Sequence, residues 1–300
     1  MAGAFTTVDL SQLAAPGVVE TLSFETILAQ MLTDLRTRDP AFTATVESDP
    51  AYKILEVCAY RELLIRQRVN EGAKAVMLAF ATGSDLDQIA ANYNVSRLVL
   101  DPGDPAALPP VAPTYETDEA FRARIPLSLE GYTTAGSEGS YVFHALSADG
   151  DVKDAAAVSP SPGQVTVYVL SQDSDGTASA PLLATVAAAL NAERVRPMTD
   201  EVLVQSASIV TYSVTAQLVL YPGPDSAVVL AAAQAAIQAY TKAVHRIGYD
   251  VSLSGIYQAL HQAGVQRVNL TAPTANLTVS DGQAAYCTAI NITVAGATDV

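Results

Sequence analysis

The three histidines of this 300-residue chain, His144, His245 and His261, are the first candidates for chemistry, because imidazole serves as general base and as zinc ligand. Each falls on an expected helix or at its end, and none stands in an HExxH or similar spacing that would bring two ring nitrogens onto one metal. A packed or surface side chain is expected in each case. Gly136-Ser137-Glu138-Gly139-Ser140 invites comparison with a nucleophile elbow, but the GxSxG order is missing and no strand precedes it. It also lacks the lysine of a phosphate-cradling GxxxxGK[ST] loop, and reads as a turn and helix N-cap. Asp173-Ser174-Asp175-Gly176 opens like a calcium loop, yet the third acidic ligand and the distal glutamate have no counterpart at the required spacing. With Asp149-Gly150-Asp151 it reads as a surface turn, where aspartate bonds nearby backbone and glycine accepts positive φ. Any two carboxylates could meet in the fold to do acid–base work, but no spacing singles out a pair. The sequence assigns no catalytic residue, no cofactor or cofactor-binding residue, and no metal ligand.

What stands out instead is arginine beside carboxylate, in Tyr60-Arg61-Glu62 with Arg66 and in Glu116-x-Asp118-x-x-Phe121-Arg122-x-Arg124-Ile125. The planar guanidinium suits bidentate ion pairs, which fits a clamp between subunits; it equally fits pairing along one helix, the preferred reading for each arginine taken separately.

The elements that must position these residues begin with helices. Leu22, Phe24, Ile27, Leu28, Met31, Leu32 and Leu35 recur at helical spacing until Asp39-Pro40. Ser48-Asp49-Pro50 announces a second helix, with a side-chain cap and a proline suited to the first turn. Its pattern runs through Ile54, Val57, Cys58, Arg61, Leu64, Ile65 and Arg68 and stays apolar from Ala73 to Phe80. Unbroken to Phe80 it would span about 46 Å, longer than the ~34 Å diameter of a compact 100-residue domain, with Gly72 as the place where it could kink or end. Ser84 and Asp87 look like a capping box for a short helix ending at Tyr93. The five prolines and one glycine of 101–113 read as a semi-rigid linker, followed by a helix from Thr117 to about Leu129 that Pro126 bends or shortens.

Beyond Gly131 the pattern changes. Helix 141–148, strands 152–158 and 163–170, helix 181–191 and strand 201–206 give the order α-β-β-α-β. The remainder rearranges the same parts as strand 209–221, helices 226–245 and 253–263, and strands 265–271 and 286–294. Phe143-His-Ala-Leu146 with Gly150-Asp-Val152 parallels Tyr257-Gln-Ala-Leu260 with Gly264-Val265, which a structural repeat would explain, as would the common use of glycine at helix ends. The expected class is α+β: an elongated helical region (1–100), a Pro-rich linker and short helix (101–135), and two small α/β domains (136–207 and 208–300) of about three strands and two helices each.

Half of the residues are apolar and only 16% are charged, which leaves surface free for protein contacts. The net charge of -15, from 16 Lys+Arg against 31 Asp+Glu, repels a phosphate backbone and argues against nucleic-acid binding. The distant Cys58 and Cys287 suggest no disulfide framework, and a reducing compartment is expected. Met1 to Gly17 shows no basic stretch followed by an apolar run, and no membrane span is expected.

Taken in order and spacing, several of these segments resemble the baseplate J-like family of contractile-tailed phages. They are Glu56-Val-Cys-Ala-Tyr60-Arg-Glu62, Asn70, Gly83-Ser-Asp-Leu-Asp87, Phe121-Arg-x-Arg-Ile125, Ala135-Gly-Ser137 with Tyr141, Val152-x-Asp154, Pro162-Gly-x-Val165 and Arg196-Pro-x-Thr-Asp200. The resemblance implies a structural wedge subunit and no enzyme. It implies two copies per wedge, a second baseplate wedge protein as partner, hub or sheath-adjacent proteins as further contacts, and six wedges joined in a ring that changes shape on sheath contraction. It places the chain in a virion or tailocin baseplate assembled in the bacterial host cytoplasm. Partner contacts are expected at Leu28, Met31, Leu35, Ile54, Arg61, Leu64, Arg68, Arg122 and Arg124. The alternatives are a tail-associated cell-wall hydrolase and an assembly chaperone absent from the particle.

Overall fold

Side-chain oxygens start most of the helices. In the computed structural model, which describes residues 10, 13–42, 46–133, 135–223 and 225–297, Ser23 caps α1 (Phe24–Arg38) and Asp49 caps α2 (Pro50–Ala75), where Pro50 fills the first turn. The reading of Met1 to Gly17 falls mostly outside the described residues. The described residues form two compact units, one drawn from 10–96 and 118–125 and the other from 97–117 and 126–297.

In the first unit α2 ends at Ala75, not Phe80. The apolar residues that follow form turns, and Arg122 holds them by donating from Nε to the Leu78 carbonyl (2.8 Å) and from Nη2 to that of Ala81 (2.6 Å). Gly72 lies inside the helix and does not end it. The N-cap of α3 (Gly83–Ala91) is Thr82 and not the expected Ser84, and Thr82 makes no side-chain cap bond. The Gly83 N–H instead donates to the Asp118 carboxylate (2.9 Å) on α4 (Asp118–Leu127), a substitute from 35 residues away. Phe121 and Ile125 of α4 are fully buried.

In the second unit the expected linker is a paired loop. β1 (Val99–Asp101) and β2 (Thr114–Tyr115) are antiparallel, an isolated bridge joins Asp104 to Val111, and the Asp101 and Asp104 carboxylates each accept a backbone N–H two residues on. Gly103, at φ +68, lies so close to the Val111 and Ala112 backbone that no Cβ fits.

Then come α5 (Glu138–Ala148), β3 (Val152–Ser161), β4 (Gln164–Ser171), α6 (Ala180–Leu190) and β5 (Glu201–Ser206), followed by β6 (Ser208–Leu220), α7 (Ser226–Val244), α8 (Leu253–Leu260), β7 (Val265–Ala272) and β8 (Gln283–Ala297). The class is α+β, with three strands and two helices in each half. The first sheet has the order β3-β4-β5, its central β4 antiparallel to β3 and parallel to β5. The second has β7-β6-β8, its central β6 antiparallel to β7 and parallel to β8. The two share one architecture reached by different chain orders. In both, a helix leads through glycine into the antiparallel edge strand, as the paired segments around Gly150 and Gly264 suggest.

One face of each sheet is covered by its own helices. Val167 and Val169 of β4 pack under Tyr141, Leu182 and Val186; Val214 and Leu218 of β6 pack under Val229, Ile237 and Leu260. By length and composition alone α7 could cross a bilayer; one side of it, with Val229, Ala233, Ile237 and Thr241, is buried. The sheets meet through a smaller cluster of Leu170, Ala207, Ile247 and Ala284. The chain passes from β5 to β6 through the single residue Ala207, whose N–H donates to Val169. Nearby the Tyr168 ring lies where a Cβ on Gly282 would stand.

Asp154 reinforces this junction. Its carboxylate accepts the N–H of Ile247 (2.9 Å) and of Ala155 (3.0 Å). Burial pushes the carboxyl up from the usual carboxylate range, against the pull of those bonds and of Arg246. A raised folded value means the folded state holds the proton more tightly, so this group lowers stability as pH rises above the ordinary aspartate range. Asp154→Ala should lower stability by about 1–3 kcal/mol at neutral pH through the orphaned Ile247 N–H, while Asp154→Asn keeps an acceptor and flattens that part of the pH profile. Denaturant melts between pH 4 and 8 check both, an estimate of range set by the ordinary carboxylate value of about 4.

Candidate assembly interface

α1 and α2 pack against each other along one side only. Ile27 and Leu28 of α1 and Ala59 of α2 form the buried centre, with Phe24, Met31, Leu32, Tyr52, Leu55 and Leu63 around it. The segment before α1 is fastened to α2 by a two-way amide bond: Asn70 donates to the Glu20 carbonyl (2.8 Å) and accepts the Glu20 N–H (3.0 Å). Arg66 adds ion pairs to Glu62 (2.6 Å) and Glu20 (3.2 Å), both solvent-exposed and worth little in stability.

The opposite side of α2 is uncovered by the described residues. Ile54 is 64% exposed, Val57 61% and Ile65 65%, with Leu64, Val69 and the Cys58 thiol beside them. Their spacing of three, four and seven residues places them in one stripe. Arg61 and Arg68 stand in the same stripe, with Arg68 paired to Glu71 at 3.6 Å. Single exposed leucines are ordinary on a protein surface, whereas a contiguous apolar stripe is not.

The nine residues expected at partner contacts therefore divide. Ile54, Arg61, Leu64 and Arg68 lie on the open stripe. Leu28 is 4% exposed and packs inside the helix pair, with Met31 against the same cluster and Leu35 half-buried. Arg122 spends its donors on Leu78 and Ala81, and Arg124, 5% exposed, donates to the Ser96 carbonyl (2.7 Å) and lies over the Phe121 ring. Burial within the first unit thus takes Leu28 and Arg124 off the surface, and Arg122 is an intramolecular clamp. Sequence spacing cannot separate the two faces of α2, because both are apolar; the one signal for the inner face is small Ala59, which admits α1 closely.

Elsewhere the named segments hold the chain to itself. The Tyr141 hydroxyl donates to Asp200 (2.7 Å), and Gly136 packs against Pro197 and Asp200, so that Ala135-Gly-Ser137, Tyr141 and Arg196-Pro-x-Thr-Asp200 meet. Burial and that carboxylate drive the Tyr141 hydroxyl far above its ordinary value. Gly163, at φ +79, closes the β3–β4 hairpin, and its carbonyl accepts the Glu201 N–H (2.7 Å). The histidines stay apart. His245 binds the Ala285 carbonyl through Nδ1 (2.7 Å), and burial lowers the pKa of both His245 and His144. No group of three metal-ligating side chains occurs among the described residues.

Three family descriptions match in order along the chain: the Baseplate J-like N-terminal domain at residues 47–104, the Baseplate J-like central domain at 133–206 and the Baseplate J-like protein C-terminal domain at 212–293. The chain belongs to the baseplate J-like family. Its relatives include Baseplate protein J of Escherichia phage P2, 50% identical over 296 residues, which cover 96% of this chain and 98% of that protein. Among solved structures, the cryo-EM structure of the anti-feeding prophage baseplate, six-fold symmetrised, is similar at a TM-score of 0.44 and 14% identity, over 60% of this chain and 43% of that one. In this baseplate J-like chain the open stripe of α2 lies inside the N-terminal match, as do the caps of α2 and α3.

The two sides of α2 should separate under mutation. Leu28→Ala should cost about 2–5 kcal/mol of stability, as deletion of a buried leucine does. Ile65→Asp should leave the melting curve of the isolated chain within about 0.5 kcal/mol of the parent, as exposed changes do. Equal destabilisation by both would mean that the stripe is buried in the free chain.

Proposed function

We propose that this chain, a baseplate component by its family, is a structural wedge subunit of a contractile-tail baseplate in a virion or tailocin, and that the open stripe of α2 binds helices of neighbouring wedge chains. The observation that carries this reading is the pair of opposed apolar faces on one 26-residue helix, of which the described residues cover one. Such a helix is about 39 Å long, enough to form several turns of a helix bundle. Side chains of the stripe would fill the seam as knobs between partner residues, with Arg61 and Arg68 pairing at its rim.

The partners expected are a second copy of this chain and a second wedge protein. The two sheets would then make the wedge-to-wedge contacts of a ring around the hub. Their shared core and the Asp154 bond favour movement as one rigid body during sheath contraction. The hydrolase alternative would need a converging pair of carboxylates.

The test uses particles. Tails purified from cells carrying Ile65→Asp together with Val57→Asp should lack the baseplate and this chain, while the variant stays folded and soluble in the lysate. Normal assembly of the double variant would remove α2 from the interface. A parent chain that never enters purified particles would favour the chaperone reading, and peptidoglycan turnover by the isolated chain would favour the hydrolase.

A further inference from the structure

One histidine sits where the two sheets meet, with one ring nitrogen committed and the other open. His245 caps the end of α7 and is 7% exposed. Its Nδ1 donates to the Ala285 carbonyl of β8 (2.7 Å), and its ring meets that of Tyr286 edge-on, 5.3 Å between centroids. A carbonyl only accepts, so Nδ1 carries the proton and Nε2 of the neutral ring is left with a lone pair. Nε2 faces the first sheet's side of the junction: it stands 3.0 Å from where a Cβ on Gly176 would be, in the turn after β4. The Gly176 carbonyl accepts the Ser171 N–H, and the Leu170 side chain closes the other flank of the glycine. The turn therefore fits the ring because residue 176, at φ +95, has no side chain. Two residues beyond His245, the Ile247 N–H donates to Asp154 of β3, and the Ile247 side chain joins Leu170 in the core between the sheets.

Charges reach this ring from every element around it. Lys153 of β3 and Lys242 of α7 line the same cleft of about 200 Å³, with Tyr286 and Cys287 of β8, and Arg246 follows His245 in the chain. Lys153 is answered chiefly by Asp154. Burial keeps the Cys287 thiol uncharged. In the turn, Asp175 attracts the ring, but one of its oxygens accepts the Thr177 N–H (3.0 Å), and Asp173 accepts the Gly176 N–H through its carbonyl. Burial holds the imidazole below its ordinary value and Lys153 adds to this, against the pull of the Ala285 carbonyl and Asp175. We propose that His245 is an acid-sensitive latch between the two sheets: the neutral ring holds the end of α7 between β8 and the Gly176 turn, and a proton on Nε2 releases that turn. Such a proton puts charge into a buried site with no bonded acceptor at hand. A group that gives up its proton on folding lends its full stability above about pH 6.5 and loses it as pH falls below. Asp154, whose carboxyl is pushed up, works in the opposite sense. His144 is lowered by burial like His245, but bonds to the Gly131 backbone instead.

The full chain labelled at its histidines gives three imidazole titrations by NMR, and that of His245 should fall below the ordinary value of about 6.5. As pH drops from about 7 to about 5, amide exchange corrected for its intrinsic pH dependence should rise several-fold at 171–177 and 245–248, while central β4 and β6 stay protected. His245→Asn keeps a donor for Ala285 and cannot take a charge, so it should lose that rise; His144→Asn should keep it. Two further variants leave the ring in place and move only its proton affinity. Lys153→Met removes a repelling charge and should shift the opening to lower pH, whereas Asp175→Asn removes an attracting one and should shift it to higher pH. The latch is overturned by a His245 that titrates at or above the ordinary value, by a rise in exchange that survives in His245→Asn, or by an opening pH that neither Lys153→Met nor Asp175→Asn displaces.

Discussion

α2 is apolar on two opposite sides, and among the described residues one of them has a neighbour. Ala59 lets α1 approach closely enough to bury Ile27 and Leu28, and the Asn70 amide locks the incoming segment in register. The other side, from Ile54 to Val69, is left exposed by the described residues. At about 25 cal/mol per Å² of apolar area removed from water, a row of such side chains is a substantial driving force for association, partly offset by the entropy of docking.

Buried polar groups in this weakly charged chain follow a second constraint. They are few, and those with described partners bond mainly to backbone. Arg122 serves two carbonyls, Arg124 one, Glu116 accepts the Leu98 N–H, and Asp154 accepts two N–H groups. Backbone partners hold position without side-chain entropy on both ends of the bond, which suits joints between elements distant in sequence. The segments through which the sequence resembles its family are largely these joints. Gly83 needs Asp118, Gly136 and Tyr141 need Asp200, and Gly163 needs Glu201, so their order along the chain is a record of which loops meet.

Much of the architecture was legible because local signals and tertiary contacts agree. Ser-Asp-Pro at 48–50 starts α2, alternating valines make β4, and the two helix–glycine–strand segments both enter antiparallel edge strands. Legibility failed where a distant residue decides. The end of α2 depends on Arg122, the start of α3 on Asp118, and the order at 101–113 on hydrogen bonds from Asp101 and Asp104 that composition does not reveal. For the interface, helical periodicity found both stripes of α2 but could not say which one α1 would take. Arginine next to carboxylate was equally ambiguous; hydrogen bonds turn Arg122 inward and burial Arg124, while Arg61 and Arg68 stay outside.

The passage from β5 to β6 has a mechanical meaning. One residue, Ala207, separates the last hydrogen-bonded position of one sheet from the first of the next, and it is itself tied to Val169. A tug on either sheet therefore meets no slack: displacement is handed across at once, with the neighbouring strands loaded in shear along their length. In a machine that works by a sudden stroke, such a stiff coupling would convey motion rather than absorb it.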